Sequence, residues 1–128
     1  MGMSLYNMLF GTNNAAPVLL AALGVTAGDV PRFRDCFISG DEIVIHTRTG
    51  GGNREAYEEE NDALCAHPCY LRDEDDDFDS TYANFYFKFP EEYAADLKAL
   101  AEQSDSHTPS EKWQALFSAL SAQAKTEA

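Results

Sequence analysis

Basic residues are scarce in this chain. Nine lysines and arginines face 22 aspartates and glutamates, a formal net charge of −13. That balance excludes a DNA- or RNA-binding role, because phosphate neutralisation needs a basic surface. It permits the opposite, an acidic surface that meets a basic protein. Long apolar runs are also missing. The stretch Pro17–Leu23 falls well short of the roughly 20 residues a membrane span requires. No basic region precedes it as in a signal peptide, so the chain is expected to be cytoplasmic, without a membrane partner. Three cysteines, an odd and small number, fit a reducing compartment better than a disulfide framework. Neither Gly-x-x-x-x-Gly-Lys-Ser/Thr nor Gly-x-Gly-x-x-Gly occurs, and no Gly-x-Ser-x-Gly marks a nucleophile. An enzyme is therefore not expected, no catalytic residue is assigned, and no cofactor is implied.

What is present is the composition of a folded domain, 45% hydrophobic and 24% charged. Residues 1–128 read as one α+β domain, with Met1 and Gly2 as a cloning remnant and a tail that frays after about Gln123. Asn13 or Asn14 caps a helix running to about Leu23, which Gly24 ends as C′ residue. Arg34–Ser39 and Glu42–Arg48 form a hairpin around Gly40-Asp41. Arg54 to about His67 is helical until Pro68 stops it. Leu71–Asp79 is an acidic loop.

Ser80–Phe89 is the clearest strand, with Phe85, Phe87 and Phe89 on one side and Tyr82, Asn84, Tyr86 and Lys88 on the other. Pro90 opens a helix to about Gln103 that buries Tyr93, Leu97 and Leu100. Thr108-Pro109-Ser110-Glu111 reads as a capping box for a last helix with Trp113, Leu116, Phe117 and Leu120 as its apolar stripe. The order αββαβαα predicts a small three-stranded antiparallel sheet of order 2-1-3, its helices mostly on the Phe85 and Phe87 side.

The candidate ligand site is the segment that follows the second strand. Three consecutive glycines, Gly50, Gly51 and Gly52, free the backbone to approach a ligand, and with Asn53 their N–H groups can form an anion-binding nest. Thr49 belongs to the same turn, and Arg48 and Arg54 flank it with charge for a phosphate or carboxylate. His46, Tyr82 and Tyr86 share the sheet face of Arg48 and can stack on a ring. The competing reading is a mobile turn whose arginines pair with Glu55, Glu58 or the acidic loop.

Three further features carry candidate chemistry. Asp73, Glu74, Asp75, Asp76, Asp77 and Asp79 begin like a calcium loop. Phe78 stands where glycine is required and Asn84 where the bidentate glutamate is required, so a weak divalent site stays open beside a solvated surface or a protein-binding one. Cys65-Ala66-His67-Pro68-Cys69 has ligand types but no standard zinc spacing, and no metal is assigned. His107 lies in a polar linker and is expected in solvent.

Ser4-Leu5-Tyr6-Asn7-Met8-Leu9-Phe10-Gly11, the Thr47–Glu55 stretch and Leu71–Tyr93 resemble a family of small acidic, uncharacterised proteins of tailed bacteriophages and prophages. The resemblance covers most of residues 3–120 and hands over no catalytic residues. It implies a bacterial host cytoplasm and a counter-defence role. The expected function is thus a non-enzymatic binding protein that sequesters a small anionic, nucleotide-like signal. The alternative is an acidic interaction protein, a nucleic-acid mimic, that blocks a basic site on a host protein. A role in virion assembly and the oligomeric state, a homo-oligomer included, are left open.

Overall fold

In the computed structural model the described residues are 16–48, 58–75, 82–102 and 106–127, with side chains described except at positions 27, 75 and 121–127. Helix α1 spans Ala16–Leu23. It ends as expected: Gly24 adopts φ +75°, and Gly24 N–H and Val25 N–H donate to Ala21 O and Leu20 O, both at 2.9 Å. This is the Schellman pattern that a glycine at C′ permits. Asn13 and Asn14, the expected caps of its other end, lie outside the described residues. A 3₁₀ turn, Ala27–Asp29, leads to β1, Phe33–Ser39. A two-residue turn with Gly40 at φ +62° reverses the chain into β2, Glu42–Arg48.

After β2, residues 58–60 are helical and a short helix α2 covers Asp62–Cys65. The next element corrects the sequence reading. Tyr70–Asp75 is a strand, β3, rather than an acidic loop. Its composition carries little β propensity. The ladder to β4 (Tyr82–Lys88) supplies its hydrogen bonds, and charged side chains suit a strand at a sheet edge.

The sheet therefore has four strands, all antiparallel, in the order β1-β2-β4-β3, not three in the order 2-1-3. A helical crossing does make the strands it joins point the same way. The strand it reaches is β3, two positions from β2, and β4 returns between them and pairs with both. The missed acidic strand is what displaced the expected order.

Helix α3, Ala94–Ala101, follows a 3₁₀ turn at Glu91–Tyr93, and α4 runs over Glu111–Glu127, past the expected fraying point. The cap of α4 sits two residues later than the Thr108 capping box placed it. Ser110 Oγ accepts from Trp113 N–H at 3.1 Å, and Gln114 N–H donates to Ser110 O at 3.0 Å. Ser110 is thus the N-cap, with Pro109 before it.

The core lies where the alternation put it. Ile43, Ile45, Phe85, Phe87, Leu97, Leu100 and Trp113 are buried in one cluster, with Phe89, Leu116 and Leu120 packed against it. The helices cover this face of the sheet. Thr47 shares it, fully buried, and its hydroxyl has no hydrogen-bond partner among the described residues. An unpaired buried hydroxyl costs stability. Thr47→Val should therefore stabilise the fold by about 1 kcal/mol, read as a higher midpoint in urea unfolding. A lower midpoint would mean that the hydroxyl is paired.

Candidate functional site

The second face of the sheet looks away from the described helices. Strand parity brings Glu42, Val44, His46 and Arg48 of β2 beside Tyr82, Asn84 and Tyr86 of β4. At the end of this face farthest from the hairpin turn, aromatic and cationic groups meet. His46 and Tyr82 stack, with ring centroids 5.1 Å apart and planes 9° from parallel. The Arg34 guanidinium lies 5.9 Å from the Tyr82 ring centroid, within cation–π reach. Arg48 is the Cα partner of Tyr82 across the ladder. His46 Nδ1 and Asn84 Oδ1 are 2.7 Å apart. A carboxamide oxygen only accepts, so Nδ1 is the donor.

Arg34 and Asn84 were absent from the sequence-derived site, and the reason for Arg34 is geometric. Strict alternation puts Arg34 with Cys36 and Ile38 on the core face. A β-bulge between Phe33 and Asp35 breaks that parity. Phe33 then packs against the core, as Cys36 does three residues later, and Arg34 reaches Tyr82 on the opposite face. The turn before the bulge holds Arg32 at φ +53°, a conformation few non-glycine residues take. Its carbonyl accepts from Arg48 N–H at 3.0 Å, which ties the two arginine-bearing segments together.

The charges divide in an informative way. Of the four arginines among the described residues, Arg32 pairs with Glu60, and Arg72 pairs with Glu42 and Glu74. Arg34 and Arg48 pair with no carboxylate among the described residues. Tyr86, expected beside His46, is claimed by the other end of the face. There the Arg72 guanidinium sits 4.1 Å over its ring and makes a two-pronged contact with Glu42 at 2.8 and 3.1 Å. This clamp joins β3, β4 and β2 and holds Glu42 below the usual carboxylate range. The glycine segment itself, Thr49, Gly50, Gly51, Gly52, Asn53 and Arg54, lies outside the described residues.

Among the other candidates, Asp73, His67 and His107 make structural contacts. Asp73 is fully buried on the core face of β3 and accepts from the Tyr70 hydroxyl, so the acidic run does not present one continuous surface. Asp76, Asp77, Phe78 and Asp79 lie outside the described residues, and no group able to hold a metal ion occurs among the residues that are described.

His67 uses both ring nitrogens on the backbone. Nδ1 accepts from Cys69 N–H at 2.9 Å, leaving Nε2 to donate to Leu23 O at 2.6 Å. Its ring and that of Phe87 are T-shaped, with centroids 5.5 Å apart. Burial pushes the Cys36 thiol up to about 12 and raises that of Cys65, so neither is a thiolate nucleophile at neutral pH.

His107 is not free in solvent as expected. Its Nε2 lies 3.0 Å from Oδ1 of buried Asp96, which also accepts from Ser110 N–H at 2.9 Å, while Oδ2 accepts from Ser110 Oγ at 2.7 Å. A serine, a histidine and an aspartate thus meet, but in the wrong order for catalysis. The serine hydroxyl donates to the aspartate rather than to the histidine, and its oxygen caps α4.

No family model matches the chain, and no solved structure does. Similarity is found to a protein of Acanthamoeba polyphaga mimivirus named "Uncharacterized protein L792". It is 42% identical over 69 residues, which are 52% of this chain and 30% of that protein. The chain thus matches less than a third of that relative's length. The similarity lies with a giant virus of a eukaryote and overturns the resemblance to tailed-phage proteins. The bacterial cytoplasm and the counter-defence role rested on that resemblance and lose its support. Among the described residues, no helix is long and apolar enough to cross a membrane.

Proposed function

We propose that this chain is a non-catalytic binding module for a small anion that carries a flat ring. One observation supports the reading above the rest. In a chain of net charge −13, Arg34 and Arg48 lack a carboxylate partner among the described residues, Arg34 lies over the Tyr82 ring that stacks on His46, and Arg48 is the Cα partner of Tyr82 on the same sheet face. Both guanidiniums are exposed and carry no carboxylate among the described residues, so they are open to charge-assisted bonds with an anionic ligand. Tyr82 and His46 offer ring faces for stacking. The chain runs on directly from Arg48 into the glycine-rich stretch 49–54, whose backbone donors would extend the same site. The alternative of an acidic protein-binding face rests on the net charge and on the acidic stretch 73–79, from which Asp73 is turned inward.

Calorimetric titration with aryl sulfonates, nucleoside monophosphates, ring-free phosphates and dicarboxylates tests the reading. Arg34→Ala and Arg48→Ala should each weaken binding about ten- to a hundredfold, the loss expected for a charge-assisted hydrogen bond. Lysine at either position should restore part of it, since a point charge lacks the guanidinium fork. Circular dichroism must first show both variants folded. Absence of binding across the panel, or binding indifferent to both substitutions, would refute the assignment.

A further inference from the structure

Building on the anion-binding reading of this site, we infer that ligand binding there is coupled to uptake of one proton by His46. The hydrogen bond to Asn84 fixes where that proton goes. Nδ1 carries the hydrogen of the neutral ring and gives it to Asn84 Oδ1 at 2.7 Å. The second nitrogen, Nε2, therefore holds a lone pair and has no partner among the described residues. A proton from solvent added there turns a neutral acceptor into a cationic donor on the same side of the sheet as Arg34 and Arg48.

Charged and polar groups of three strands surround the ring. On β1, Asp35 is the Cα partner of His46, and Arg34 precedes it in the bulge. On β2, Arg48 lies two residues on. On β4, Tyr82 and Asn84 flank the ring, and Glu74 of β3 is the Cα partner of Asn84. A bound anion adds an attraction for a positive charge on the His46 ring, on the sheet face that carries Asp35, Arg48 and Glu74. Imidazolium formation and anion binding thus favour one another, and linkage makes the effect reciprocal: protons tighten the anion as the anion tightens the proton. Histidine is the side chain whose ordinary titration range places such coupling between about pH 5 and 8.

The coupling narrows the class of ligand. A site that reaches three positive charges when loaded favours a doubly charged head, such as a phosphate monoester, over a singly charged one.

The probe for the test is 2-naphthalenesulfonate, a flat ring whose charge does not titrate in this range. Calorimetry near pH 6 in two buffers of different ionisation enthalpy counts the protons taken up. The expected result is uptake of up to one proton per ligand, and affinity about tenfold tighter near pH 5.5 than near pH 8. His46→Gln, which keeps a side-chain amide able to reach Asn84, and His46→Phe, which keeps the ring on Tyr82, should both bind weakly with no pH dependence and no proton uptake. Binding by the intact protein with no proton uptake and a flat pH profile overturns the coupling and leaves the anion site standing. Uptake that persists in both variants shows that another group takes the proton and also overturns it. Failure of the folded protein to bind the sulfonate at any pH removes the coupling and the reading beneath it together.

Discussion

Phe87→Ala is expected to lower folding stability by about 3–5 kcal/mol, the range for truncating a fully buried phenylalanine. Phe87 has no exposure and sits at the middle of the sheet's covered face. It is the Cα partner of Ile43 on one side and of Tyr70 on the other. His67 and Tyr70 form T-shaped contacts with its ring at centroid distances of 5.5 and 6.1 Å. His67 in turn holds the backbone at Leu23 and Cys69. Removing the ring therefore leaves a cavity and also releases the histidine that ties α1 to the segment leading into β3. For a domain whose whole stability is about 5–15 kcal/mol, the variant should populate unfolded chain at ordinary temperature. Urea unfolding followed by circular dichroism measures this. A loss below about 1 kcal/mol would place Phe87 outside a packed core.

Asp96 is the second position with a large expected effect. Burial acts to raise its titration, and the hydrogen bonds from His107 and from the side chain and backbone of Ser110 outweigh burial, so the carboxyl sits below its ordinary range. Its folded value is therefore lower than its unfolded value of about 3.9. The stability it contributes is present above about pH 4 and is lost as pH falls through the lower folded value. Asp96→Asn removes the charge and should cost about 3 kcal/mol near neutral pH, because Ser110 N–H, Ser110 Oγ and His107 lose an ionised acceptor in a buried place. It should also flatten the acid limb of the stability profile below about pH 4. Urea midpoints across that range check both effects. An unchanged acid limb in the variant would show that other carboxylates set it.

The parts of the fold that were legible in the sequence are those in which one physical signal dominated. Phe85 and Phe87 alternate with polar residues, and their strand and buried face follow from that alternation. Gly24 and Gly40 mark a helix end and a tight turn because both adopt positive φ. The Leu97 and Trp113 faces follow from helical spacing.

What was not legible has equally specific causes. β3 lacks apolar alternation, since its bulge at Leu71 puts Tyr70 and Asp73 on the same face three residues apart. The second of these is a buried acid satisfied by a tyrosine, which no composition rule anticipates. Two hydroxyls and a proline in Thr108-Pro109-Ser110 offer competing caps. The choice falls to Ser110 because Asp96, fourteen residues earlier in the chain, holds it.

In the candidate site, parity alone placed His46, Arg48, Tyr82 and Tyr86 on one face, as they are. It could not place Arg34, whose side a single bulge reverses. Nor could it show that Tyr86 would be engaged by Arg72 and Glu42, since that clamp depends on a strand the acidic composition concealed.

The most direct test of the central claim is a backbone and side-chain NMR titration of the intact protein with an aromatic phosphate monoester. Saturable shifts are expected, confined to Arg34, His46, Arg48, Tyr82 and Asn84 and the adjoining residues 49–54, with the His46 ring moving in step. A contrasting concavity of about 520 Å³ lies between the Gly40-Asp41 turn and α3, lined by Phe89, Lys98 and Glu102 among others. Shifts centred there, or no saturable shifts at all, would contradict the anion site on the outer face of the sheet.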